Sequence, residues 1–102
     1  MNATQLLKAA RAKIAKSKNW TQGTLARDSR GHAVAPWEPN AARWCAYGAL
    51  QAVAGEHYYN NRIYGHALQR LPELLSVFND ASTHIAVLEA FDLAIAKENE
   101  RA

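Results

Sequence analysis

The chain has 102 residues, 49% of them apolar, a net charge of +3 and a single cysteine, Cys45. Twenty-one alanines favour helices and leave 29 larger apolar side chains, enough for one small core. Disulfide frameworks and cysteine-only zinc sites are excluded, and no segment approaches the roughly 20 apolar residues of a membrane-spanning helix.

Lys8, Arg11 and Lys13 interrupt the N-terminal region, unlike a secretion signal, so a cytoplasmic protein is expected, with one domain over residues 1–102. The charge is divided. Residues 1–30 carry seven basic side chains against Asp28 alone, whereas residues 31–102 carry five against eight acidic ones. Such asymmetry suits either a basic binding face or two ends that attract one another.

Asn2 or Thr4 can cap a first helix, in which Leu6, Leu7, Ala10 and Ile14 form one apolar stripe. Lys8, Arg11, Lys13, Lys16 and Lys18 fill the rest of its circumference, the later ones suiting the negative end of the helix dipole. Trp20 is expected to anchor the exit. From Thr21 the helical period disappears, and residues 24–27 and 32–35 flank Asp28-Ser29-Arg30-Gly31. Aspartate at the first position of a turn and glycine at the fourth predict a small hairpin, with an irregular loop as the alternative because alanine is a poor strand former. Pro36 and Pro39 then bracket Trp37.

The spacing predicts a second helix from near Asn40 to Gly55, with a small-residue stripe of Ala41, Cys45, Gly48, Ala49 and Ala52 that lets another helix approach. Asn60 or Asn61 caps a third helix carrying Ile63, Tyr64, Ala67, Leu68 and Leu71. A short fourth segment runs from Pro72 to Phe78 and is broken by Asn79 and Asp80. The last helix starts near Ser82, with Ile85, Leu88, Phe91 and Ile95 inward and Glu89, Lys97 and Glu98 outward. The expected fold is mainly α, a compact bundle of four to five helices with a β-hairpin inserted between the first two.

Several pieces of the chain resemble a family of small bacterial and phage-borne proteins known only as a domain of unknown function. They are Trp20-Thr21-Gln22-Gly23, Ala26-Arg27-Asp28, Trp44-Cys45-Ala46 with Gly48-Ala49-Leu50, Leu71-Pro72, Asn79-Asp80, Thr83-His84, Val87-Leu88, Ala90-Phe91-Asp92 and Ala94-Ile95. The resemblance spans most of the chain and is weakest over residues 55–65. It implies a shared fold and, by association with phages, a role in engaging a host protein. It transfers no functional residue.

Among chemical constellations, Cys45 as nucleophile, His84 as base and Asp80 (or Asn79) as orienting group would make a thiol hydrolase or transferase. Against this, the helix expected from Asn40 places Cys45 in its second turn, past the exposed amides that lower a thiol pKa, and in an alanine-rich row where a buried structural cysteine fits. His32, His57, His66 and His84 lack the close spacing of a metal motif, and no cofactor loop is present, so neither metal nor cofactor is expected. Lys8, Arg11, Lys13, Lys16, Lys18, Arg27 and Arg30 offer phosphate contacts for non-specific nucleic-acid binding. Tyr58, Tyr59, Arg62 and Tyr64 are the residue types of a protein-binding hot spot. The leading expectation is a binding module with a protein partner; the thiol enzyme and nucleic-acid binding are the alternatives.

Overall fold

The first helix, α1 (Ala3–Lys13), begins where the sequence places it. Asn2 Oδ1 accepts the Gln5 N–H at 2.8 Å and Gln5 Oε1 accepts the Asn2 N–H at 2.8 Å, a reciprocal cap that satisfies two amides the helix leaves open. Leu6, Leu7, Ala10 and Ile14 are fully buried, and each of the larger three stabilises the fold by about 2 kcal/mol. In this computed structural model, which describes residues 1–101, α1 packs against three other helices: α2 (Ala46–Ala54), α3 (Arg62–Gln69) and α5 (His84–Arg101). The short α4 (Leu75–Ala81) packs against α2. The expected architecture holds: five helices with a two-stranded antiparallel sheet between the first and second.

The turn at residues 28–31 forms as expected. Asp28 Oδ1 accepts the N–H groups of His32 and Arg30 at 2.9 Å each, which holds its carboxyl below the usual range. Gly31 takes a φ of 88°, where any other residue would be strained. The pairing differs from expectation, however. Residues 32–35 contribute one bridge, Arg27 with Ala33, and the main partner of β1 (Ala26–Asp28) is β2 (Ala41–Trp44). Ala26 faces Trp44 and Arg27 faces Arg43, with an irregularity before the Asp28–Ala41 pair.

The second helix therefore starts at Ala46, six residues later than near Asn40. Residues 41–44 have good helical spacing, but tertiary hydrogen bonds override it: Thr21 N–H donates to Trp44 O at 3.1 Å and Cys45 N–H to Leu25 O at 3.1 Å. Nor does the small-residue stripe serve a helix–helix contact throughout. A Cβ on Gly48 would lie 1.9 Å from Leu25 O, so Gly48 admits the backbone of the loop before β1.

Three further boundaries move. The fourth helix starts at Leu75, three residues after Pro72, and contains Asn79 and Asp80 instead of ending before them, and α5 starts at His84, where Thr83 Oγ1 accepts the Ala86 N–H at 3.1 Å. On α5 the buried positions are Val87, Phe91 and Ala94, with Leu88 and Ile95 half-buried beside them. Ile85, expected inward, is 68% exposed. Glu98, expected outward, is half-buried against α3, where it accepts from His66 Nε2 at 2.9 Å and Arg70 Nε at 2.9 Å. No helix among the described residues is long and apolar enough to cross a membrane.

Candidate functional site

Three of the pieces that carried the family resemblance, Trp20–Gly23, Trp44–Ala46 and Asn79–Asp80, bind one another. Asn79 is fully buried, and its Oδ1 accepts both the Trp20 indole N–H at 2.8 Å and the Ala46 backbone N–H at 2.9 Å. Its Nδ2 donates to Thr21 O and Asp80 Oδ1, each at 3.1 Å. Gln22 Nε2 donates to the carbonyls of Asn79, Asp80 and Ser82 at the end of α4, and Asp80 Oδ1 accepts the Gly23 N–H at 3.0 Å. Trp20 to Gly23 thus forms a clasp over the C-terminal turn of α4 and the N-terminus of α2. Every polar atom of the Asn79 side chain is used in holding three segments together.

Cys45 is the N-cap of α2, and its Sγ accepts the Gly48 N–H at 3.2 Å. It is buried, and burial pushes its thiol pKa up; the bond from Gly48 opposes this, while the nearby Asp80 carboxylate adds to it. Cys45 and Asp80 line one small cavity of about 140 Å³. His84 is turned elsewhere: its Nε2–H donates to Ile14 O, and its ring lies 5.5 Å from that of Trp20. No hydrogen bond joins His84 to Cys45 or Asp80, so the nucleophile–base–orienter relay is not assembled. Among the described residues, no three metal-ligating side chains converge.

The basic residues divide into two sets. Arg11 is held by Asp92, with Nε–Oδ1 at 2.7 Å. Arg27 lies inside the hairpin region, donating to Thr21 Oγ1 and to the carbonyls of Gly31 and Gln22. Both contribute to the fold, contrary to their expected place on a free phosphate-binding face. Lys8, Lys16, Lys18 and Arg30 remain exposed, and Lys13 Nζ lies 4.3 Å from the Trp44 ring centre. Arg43, which the sequence did not single out, joins them as an exposed residue on β2, beside the 3-10 turn Ser17–Asn19 that carries Lys18.

The tyrosine cluster is assembled, with one reassignment. Tyr64 is 5% exposed and cannot meet a partner; burial pushes its phenol pKa far up, and its hydroxyl stands beside Tyr47 and Gln51. Tyr58 stands on it, with ring centres 5.1 Å apart. Tyr58 in turn meets Trp37 at 5.9 Å and Tyr59 at 5.6 Å, and Tyr59 meets His57 at 6.2 Å. Tyr59 and Arg62 are exposed. Trp37 and His57 were not among the expected members. Their signal in the sequence was only that each stands near a proline or the tyrosines, which does not specify contact.

These features define a small, mainly helical protein with a structural polar network around Asn79 and a ring cluster that ends at exposed Tyr59. The chain belongs to the family of unknown function DUF6197, which matches residues 1–97. No curated protein and no solved structure matches it.

Proposed function

We propose that this protein is a binding module that docks a protein partner on the surface formed by Tyr59 and Arg62, with Tyr58 and Trp37 at its base. The observation that carries this reading is the ring ladder from buried Tyr64 through Tyr58 to Tyr59, which is 67% exposed. A large aromatic side chain already held by its neighbours loses little conformational entropy on binding, and arginine beside it supplies charge-assisted hydrogen bonds. The complementary partner surface carries an apolar recess for Tyr59 and an acidic group for Arg62. The resemblance to phage-borne proteins suggests a host protein in the cytoplasm as that partner. Affinity capture with wild type and a Tyr59→Ala/Arg62→Ala variant of unchanged melting temperature tests the surface. Loss of a specific partner from the variant supports it, and identical partner sets from both proteins overturn it.

A second reading, non-specific nucleic-acid binding, is favoured by one observation: Lys8, Lys16, Lys18 and Arg30 are exposed and none of them is ion-paired among the described residues. Such a face would contact phosphates and lose affinity steeply with salt. Binding at low salt that Lys16→Glu/Lys18→Glu abolishes supports this reading; absence of any shift at low salt removes it.

A further inference from the structure

The outward face of α5 is exposed at Ile85, Glu89, Leu93 and Lys97. Leu93 is 63% exposed and forms a ridge between two hollows. The larger hollow, about 420 Å³, is lined by Leu71, Pro72, Phe78, Ala86, Ala90 and Leu93, together with Glu89 and Lys97 at its margin. The smaller, about 340 Å³, is lined by Glu89, Asp92 and Leu93. A bulky knob flanked by hollows, with alanines at 86 and 90 that allow close approach, is the local shape used when helices interlock.

The charges say what covers it. Asp92 and Glu98 on α5 are already paired, with Arg11 and with Arg70 and His66. Glu89 and Lys97 make no ion pair among the described residues, and they stand one helical turn before and one after Leu93. A two-fold axis at Leu93 places Glu89 opposite Lys97 of the partner subunit, and by symmetry the same pair forms twice. Parallel pairing would instead set Glu89 against its own copy, which is repulsive.

We infer that the outward face of α5 is a self-association surface, on which a second copy packs its α5 antiparallel, with Leu93 seated in the hollow beside its counterpart. One helix pair about 27 Å long is smaller than a standard-size interface, so a dissociation constant of about 10–100 µM is expected.

Sedimentation equilibrium of the full chain, from about 5 µM to about 1 mM, reads the monomer–dimer balance. The expected result is a dimer for wild type, at least about tenfold weaker dimerisation for Lys97→Glu, and recovery in Glu89→Lys/Lys97→Glu, which reverses both charges and preserves their complementarity. All three positions of substitution are exposed, and equal helicity by circular dichroism confirms the fold. A wild type that stays monomeric to about 1 mM overturns the inference, as does a dimer indifferent to Lys97→Glu or one that the double reversal fails to restore. Leu93→Asp provides an independent check: it too must dissociate the dimer while leaving the melting temperature of the monomer unchanged.

Discussion

Trp20 and Asn79 stand 59 residues apart in the chain and meet through one bond, from the indole Nε1–H to Asn79 Oδ1 at 2.8 Å. The same oxygen takes the first backbone N–H of α2, so one buried amide sets the relation of the α1 exit, the start of α2 and the end of α4. A buried amide that satisfies donors and acceptors on three segments is costly to remove, because each group it leaves behind is far from water.

Asn79→Ala is accordingly expected to destabilise the protein by about 3–5 kcal/mol in urea unfolding at 25 °C. Gln22→Ala removes three hydrogen bonds from an exposed side chain whose carbonyl partners can turn to water, and should cost only about 1 kcal/mol. Equal costs would show that the buried amide is not the critical member of the clasp.

Gly48→Ala should cost more than about 2 kcal/mol, since the new methyl group would meet the Leu25 carbonyl at 1.9 Å and backbone must move. Gly65, inside α3, has nothing within 4 Å of an added Cβ, so Gly65→Ala should stabilise by roughly 0.5–1 kcal/mol. Melting temperatures of the two variants should move in opposite directions.

Cys45 should resist alkylation. Its thiol is buried, its pKa is raised, and its sulfur serves as a helix cap. Iodoacetamide at pH 7.5 should modify the native protein far more slowly than the urea-unfolded chain, as followed by mass spectrometry. Cys45→Ser should retain the cap and fold normally. Rapid native alkylation at neutral pH would reopen the case for a reactive thiol.

Glu98 gives a pH signature. Burial alone would raise its pKa, but hydrogen bonds and charge from His66 and Arg70 outweigh that, and the folded value lies below the ordinary 4.5. A carboxyl depressed in the folded state adds stability that is complete above its unfolded pKa and is lost as pH falls through the folded one. Glu98→Gln should therefore be less stable than wild type at pH 6–7, and the gap should close progressively below pH 4.5. A gap that is constant down to the acid end of the titration would contradict the ion-pair assignment.

Much of this architecture is legible in the sequence, and the exceptions share a cause. The Asn2 cap, the stripe on α1, the turn at Asp28–Gly31, the Asn61 cap and the stop at Gly55 all depend on neighbours in the chain. The strand at 41–44 does not: Ala41, Ala42 and Arg43 are good helix formers, and only their pairing with a segment 13–18 residues earlier extends them. Cys45 passed unnoticed as a cap because cysteine is outside the usual capping set, and the helix was expected to have begun already. Asn79 and Asp80 read as a helix break, since a polar pair seldom lies inside a helix unless something distant satisfies it, as Trp20 and Gln22 do here. At the site, the tyrosines were visible as a cluster, whereas the inward turn of Tyr64 and the arrival of Trp37 depend on packing that local spacing does not encode.

Residues that hold the fold, among them Trp20, Gln22, Cys45, Gly48 and Asn79, are distinct from the exposed Tyr59 and Arg62, which we propose as the docking surface. The most direct test is the amount of partner captured by wild type and by Tyr59→Ala/Arg62→Ala, measured by quantitative mass spectrometry at matched melting temperature. The expected result is at least about a tenfold loss of a specific protein, equivalent to about 1.4 kcal/mol of binding free energy. An unchanged set of captured proteins, in unchanged amounts, would contradict the central claim.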